Sequence, residues 1–150
     1  MSDGVLSVVC EAELTHDERM AKCYDAMLSG KQVDCPVAHV ITPGPPGWNV
    51  YTREFKAPAG TGILSEKHRL EHVFTLSQGS CMVAMDGVNV LLTAPHTGVT
   101  LPGTQRLILA LEDITWVTTH VIPDTVVDDN GFKDYALIPT FQSCLLQYQP

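Results

Sequence analysis

An all-β fold, an antiparallel sandwich or barrel with one helix outside it, is predicted by three observations. About eight short stretches rich in β-branched and apolar residues follow one another after residue 36. Turn signals built from Gly, Pro, Asn and Asp separate them at close spacing. Strand and helix patterns do not alternate along the chain, which excludes a parallel βαβ sheet.

The helix comes first. Thr15-His16-Asp17-Glu18 is a capping box, a hydroxyl N-cap with a carboxylate three residues on. Met20, Cys23, Tyr24, Met27 and Leu28 follow at helical spacing and Gly30 ends the pattern, predicting a helix over 15–29. A β-branched run covers 37–42. Pro43-Gly44-Pro45-Pro46-Gly47 is a rigid loop in which Trp48 reads as an anchor. Alternation resumes over 49–56, and 57–62 is a turn. A strand over 68–76 extends a stretch in which Glu66, His68, Leu70, His72, Phe74 and Leu76 share one face. That face carries a carboxylate and two imidazoles before an apolar run, the pattern of a polar or metal-binding pocket at a barrel mouth.

Strands over 80–85 and 88–93 flank Asp86-Gly87, the strongest short hairpin signal, because both central residues of a type I′ turn need positive φ. Turns at 95–98 and 101–103 lead to strands over 106–111 and 114–122, joined at Glu112-Asp113. The chain thus divides into an arm and helix (1–33), a barrel (34–122) and a tail (123–150). The tail opens acidic, with Asp124, Asp128, Asp129 and Asp134 and a turn signal at Asn130-Gly131, and becomes apolar over 136–139 and 141–148. It is expected to pack on its own barrel or across a neighbouring subunit.

The 150 residues suit one domain. Only 17% are charged and mean hydropathy is +0.08, which predicts a buried interface in a homo-oligomer. A net charge of -8 with no basic cluster excludes direct nucleic-acid binding. No apolar run approaches the roughly 20 residues that span a bilayer, so no membrane partner is expected. Met1-Ser2-Asp3-Gly4 lacks the start of a signal peptide, and the protein is expected to be made in a cytoplasm and not secreted. Cys10, Cys23, Cys35, Cys81 and Cys144 form no C-x-x-C pair and read as reduced thiols serving as small core residues.

The spacing Gly60-x5-Glu66-x-His68-x3-His72-x6-Gly79 resembles the first signature of the cupin superfamily, a glycine, His-x-His, a Glu and a closing glycine at matching gaps. The ligand types are permuted, with Glu66 at the first His position, His68 at the second and His72 at the Glu position. The resemblance runs through Met85-Asp86-Gly87-Val88 and Leu101-Pro102-Gly103 to His120. It implies a cupin-like antiparallel jelly-roll barrel. In the second signature, Pro102-Gly103 lacks the family's spacer, so Arg106 (or Gln105, one residue earlier) stands where a His completes the metal site. Arginine offers no lone pair to a metal. The blocks 51–61, 102–104 and 111–116 resemble a group of small cupin-like proteins in tailed-bacteriophage and prophage genomes.

Glu66, His68 and His72 are the candidate metal ligands. Two imidazoles and a carboxylate suit non-haem Fe(II), and equally Mn, Ni or Zn. The same residues also fit a polar mouth in which imidazoles bond to each other, to Thr or to water. Arg106, Gln105 and His120 are candidates for holding an anionic substrate. His120 follows Trp116 and Thr118 on one strand face, as a further ligand, an acid/base group or a core histidine. A nucleophile elbow, a phosphate loop and a dinucleotide fingerprint are all missing. Three functions follow. The first is a non-catalytic, phage-type jelly-roll protein that binds no cofactor and assembles with itself and other virion proteins as decoration, accessory or adaptor. The second is a small metal-dependent oxygenase, isomerase or lyase acting on an anionic molecule. The third is a metabolite- or sugar-binding module. Low charge, the apolar tail, the altered second signature and the phage-like blocks favour the first.

Overall fold

The structure is a computed structural model in which residues 14–85, 88–138 and 146–149 are described. Its strands are β1 (Lys31–Gln32), β2 (Val37–Pro43), β3 (Trp48–Ala57), β4 (Gly62–Leu64), β5 (His72–Gln78), β6 (Ser80–Met85), β7 (Val88–Thr93), β8 (His96–Thr100), β9 (Leu107–Ala110), β10 (Ile114–Pro123) and β11 (Leu146–Gln149). Helix α1 (His16–Leu28) precedes them and α2 (Asp129–Ala136) lies between β10 and β11. One antiparallel sheet runs β1-β11-β4-β9-β6-β7 and the other β2-β3-β10-β5-β8. From β3 to β10 every connection crosses between the sheets except the β6–β7 hairpin. The orders 4-9-6-7 and 3-10-5-8 that result are the double Greek key of a jelly-roll barrel. The chain is therefore all-β with a helix near each end.

Alternation sorts the side chains. Phe55, Phe74, Leu76 and Trp116 from one sheet meet Ile63, Val83 and Ile108 from the other to form the barrel core. The other face of the six-stranded sheet, at Leu64, Ala84 and Leu107, is covered by Met20, Cys23 and Met27 of α1. Thr15 caps α1 through the expected capping box, its backbone N–H bonding Glu18 Oε2 at 2.8 Å and its hydroxyl accepting from Glu18 N at 3.2 Å. A third cluster, Tyr51, Ile122, Val126, Phe132 and Ala136, seats α2 against the end of the barrel. Gly79, at φ 80° between β5 and β6, has no room for a Cβ, which would overlap the Asp113 carbonyl oxygen.

Several expectations are corrected. The strand expected over 68–76 begins at His72, and 65–71 is a loop. Its backbone groups bond the tail and the 101–103 turn: Ile138 N donates to Lys67 O, Arg69 N donates to Ala136 O, and Gly103 N donates to His68 O. The expected turns at 57–62 and 95–98 overlap the short strands β4 and β8. Asn130-Gly131, read as a turn, lies in the first turn of α2, where Gly131 N donates to the N-cap carboxylate of Asp128 at 2.7 Å. The tail strand β11 pairs with both β1 and β4 of the same chain. The Asp86-Gly87 turn, Cys10 and Cys144 lie outside the described residues, whereas Cys23, Cys35 and Cys81 are buried core residues.

Candidate metal centre

Two adjacent strands deliver the first pair of ligands. His72 opens β5 on its inward face, ahead of Phe74 and Leu76. His120 points inward from β10 in the series Ile114, Trp116, Thr118, His120, Ile122. Thr119 pairs with Val73, so the next residue on β10 and the preceding one on β5 are lateral neighbours. The two imidazoles stack with centroids 4.1 Å apart. His68 arrives from the 65–71 loop, where it forms a β-bridge with Leu137. Its ring lies 4.5 Å from that of His72 and 4.9 Å from that of His120.

One potential ligand atom from each of the three lies within 4.8 Å of the others. His68 Nδ1 and His120 Nε2 are 3.1 Å apart. Two nitrogens on one ion at about 2.0–2.1 Å stand roughly 2.9 Å apart at a right angle and 3.4 Å apart at the tetrahedral angle. The observed separation falls inside that span. His72 Nδ1 lies 3.2 Å from the Leu70 carbonyl, which only accepts, so Nδ1 carries the proton and Nε2 keeps its lone pair. His120 Nδ1 is buried and has no hydrogen-bond partner among the described residues, so no neighbour there dictates which nitrogen of that ring offers its lone pair. The trio can hold one divalent transition metal, for which neutral imidazole is a suitable donor.

All three rings are held neutral. Burial pushes His68 down to about 3, assisted by His72, Arg53 and Arg106. Burial, then His72 and His68, pushes His120 down to about 2. Burial also lowers His72 despite its bond to Leu70. The cause is shared: a closed site disfavours charge, and three rings in contact disfavour it further.

The pocket in front of His68 and His72 has a volume of about 60 Å³ and apolar walls at Phe55, Ile63, Ile108 and Trp116. Its charged members are Arg53, Glu66 and Arg106. Glu66 Oε2 accepts from Arg53 Nη1 at 3.1 Å, so the candidate carboxylate ligand is engaged by an arginine while His120 takes the third place in the histidine group. Arg106 donates to Thr100 Oγ1 at 2.8 Å and stands 4.7 Å from the Phe74 ring centre, which itself stacks on Trp116. No carboxylate pairs with it among the described residues. Gln105 is buried, bonds the Ser65 carbonyl at 3.0 Å and does not line the pocket.

The sequence offers His120 for the anion-binding set or as a further ligand, and the motif that carries the other two histidines ends at Gly79, 41 residues before it. Inward alternation on β10 with Trp116 and Thr118 was the available signal. Its neighbour relation to His72 depends on strand order, which that alternation does not contain.

No protein-family model matches the chain and no curated protein matches it. Solved structures do, and neighbours among them are cupin superfamily proteins. A cupin superfamily protein from Desulfitobacterium hafniense shares 12% identity over 61% of this chain and 83% of its own, with a TM-score of 0.46. An RmlC-like cupin from Shewanella frigidimarina shares 19% over 54% and 81%, at 0.41. An acetylacetone dioxygenase from Acinetobacter johnsonii shares 20% over 65% and 68%, at 0.45. No described helix is long and apolar enough to cross a membrane.

Proposed function

We propose that the barrel mouth is a metal-dependent site for a small anionic molecule, with His68, His72 and His120 as the metal-binding set and Arg106 holding the anionic group. The observation that carries this reading is the convergence of three uncharged imidazoles from three separate segments. His68, His72 and His120 would hold a divalent metal, which would supply Lewis acidity at the mouth of the pocket. The remaining work falls to the chain. Arg106, held by Thr100 and Phe74, offers a carboxylate two parallel donors. Phe55, Ile63, Ile108 and Trp116 keep water off the anion and strengthen that contact. The Arg53–Glu66 pair neutralises the second guanidinium, which leaves Arg106 as the pocket's uncompensated charge. The small cavity restricts the ligand to a few non-hydrogen atoms.

The phage-type assembly role favoured by the sequence leaves this cluster unexplained, so the metal-dependent reading is preferred. Elemental analysis of the native protein tests it. About one equivalent of Fe, Mn, Ni or Zn per chain is expected. His72→Ala and His120→Ala should each lower that content at least tenfold, and Glu66→Gln should retain it. Arg106→Gln should keep the metal and lose the thermal stabilisation given by small carboxylates such as acetate or oxalate. Wild-type protein that neither carries nor takes up such a metal would end the proposal.

A further inference from the structure

The two sheets differ in what covers their outer faces. Helix α1 shields that of the six-stranded sheet. No described helix lies on that of the five-stranded sheet. The residues opposite to Tyr51, Phe74 and His120 in the alternation point outward there, and strand register joins Val99, Val73, Thr119, Thr52 and Val40 into one row across all five strands. Val40, Val73 and Val99 are 53%, 44% and 51% exposed. Val121, on the central strand β10, is 58% exposed. Glu54 and Lys56 are the only charged side chains that alternation places on this face, and they lie 3.9 Å from each other. A solvated sheet face normally reads as charged and polar. The row that crosses this one is Val and Thr from edge to edge, in a chain with 17 acidic residues.

We infer that this face is the contact of a two-fold dimer, with a second copy of the same chain packed sheet against sheet. Two arguments single out that occupant. The first is charge. The chain carries a net charge of -8, so two copies repel except where the surface is neutral, and this face is neutral. The second is area. Five strands about 4.8 Å apart, the longest of ten residues at about 3.3 Å each, give a plane of roughly 600 Å² before side-chain relief is added. A stable interface needs about 800 Å² of accessible surface per partner. A flat row of β-branched side chains is self-complementary, because facing sheets pack by interdigitating such rows. The low overall charge then has a location.

Sedimentation velocity on the full-length protein tests the inference. Wild type should sediment as a dimer at about 100 µM, far above the micromolar-or-tighter Kd that a contact of this size sustains. Thr119→Glu, at the centre of the row, and Val73→Glu should each raise the dimer Kd by about 100-fold or more, because like charges then face each other across the two-fold. Their far-UV circular dichroism should be that of the wild type. Val99→Glu, at the sheet edge, replaces Thr119→Glu should the latter fail to fold. Leu91→Glu, 57% exposed on the other sheet, should leave the dimer intact. A wild-type monomer at that concentration, with the face left to residues 1–13 or to a different protein, overturns the inference. So does a dimer that survives the charge on the row but is lost with Leu91→Glu.

Discussion

Three imidazoles pressed together without charge make the metal-free protein sensitive to acid. His68 and His120 titrate at about 3 and about 2 in the folded chain, and His72 is lowered as well. In the unfolded chain each returns to about 6.5. The unfolded state therefore binds more protons below that value. The stability difference is fully present above about pH 6.5 and is lost progressively as pH falls towards 3. Melting temperature measured from pH 8 to pH 5 should fall on acidification. Zn²⁺ should raise it at pH 7.5 by binding only the folded state. A melting temperature that climbs between pH 7 and pH 5 contradicts a buried neutral cluster. A second residue tests the anion side. A Cβ on Gly98 would sit 2.7 Å from the Phe74 ring, the surface beneath Arg106. Gly98→Ala should destabilise by about 1–3 kcal/mol through overpacking. It should also weaken carboxylate binding while leaving metal content unchanged, as read by thermal denaturation and elemental analysis.

At the scale of elements, α2 and the 65–71 loop act together. Phe132 stacks on Tyr51 at 3.7 Å and meets His120 edge-on at 4.9 Å. Tyr51 Oη donates to Asp129 Oδ1 at 2.6 Å, and burial together with that acceptor raises the phenol well above its ordinary value. Arg69 bonds the tail twice, through its backbone N–H to Ala136 O and its guanidinium to Leu137 O, next to His68. Phe132→Ala should cost about 3–5 kcal/mol of stability. Tyr51→Phe should cost about 1 kcal/mol by losing one buried hydrogen bond. Chemical denaturation checks both, and Phe132→Ala should also weaken Zn²⁺ binding, because the wall behind His120 is gone. The helix responsible was hidden in the sequence by Asn130-Gly131. That pair marks a turn on local grounds, and only burial of Phe132 and Ala136 against the barrel selects the helix. The capping box of α1 needs no distant contact and was legible. So was the inward set His72, Phe74 and Leu76, once the strand begins. The loop before it broke the alternation because the backbone partners of Lys67 and Arg69 lie some 70 residues away, in a segment that a local pattern does not see.

For the whole molecule, turn spacing and the lack of βαβ alternation sufficed for an antiparallel sandwich or barrel, since both are written residue by residue, and the jelly roll was implied by the resemblance of the Gly60–Gly79 spacing to the cupin signature. Strand order was not. The neighbour relation of β5 and β10 places His120 beside His72, and it follows from the way the Greek keys close. Composition carried a second global signal. Its scarcity of charge maps onto the uncovered five-stranded sheet, where the dimer contact is proposed, whereas α1 already shelters the opposite sheet.

One pairing has a bearing on how the chain reaches this state. Strand β11 is wedged between β1 and β4, so the six-stranded sheet takes one of its inner members from a segment made some 80 residues after β4. During synthesis, Ile63 and Leu64 leave the ribosome long before residues 146–149 exist to hydrogen-bond with them. Until then β4 presents a naked edge to every other nascent chain nearby. Yield in cells should therefore depend on how quickly translation runs from β4 to β11, and pausing within that stretch should send more product into inclusion bodies than pausing before it.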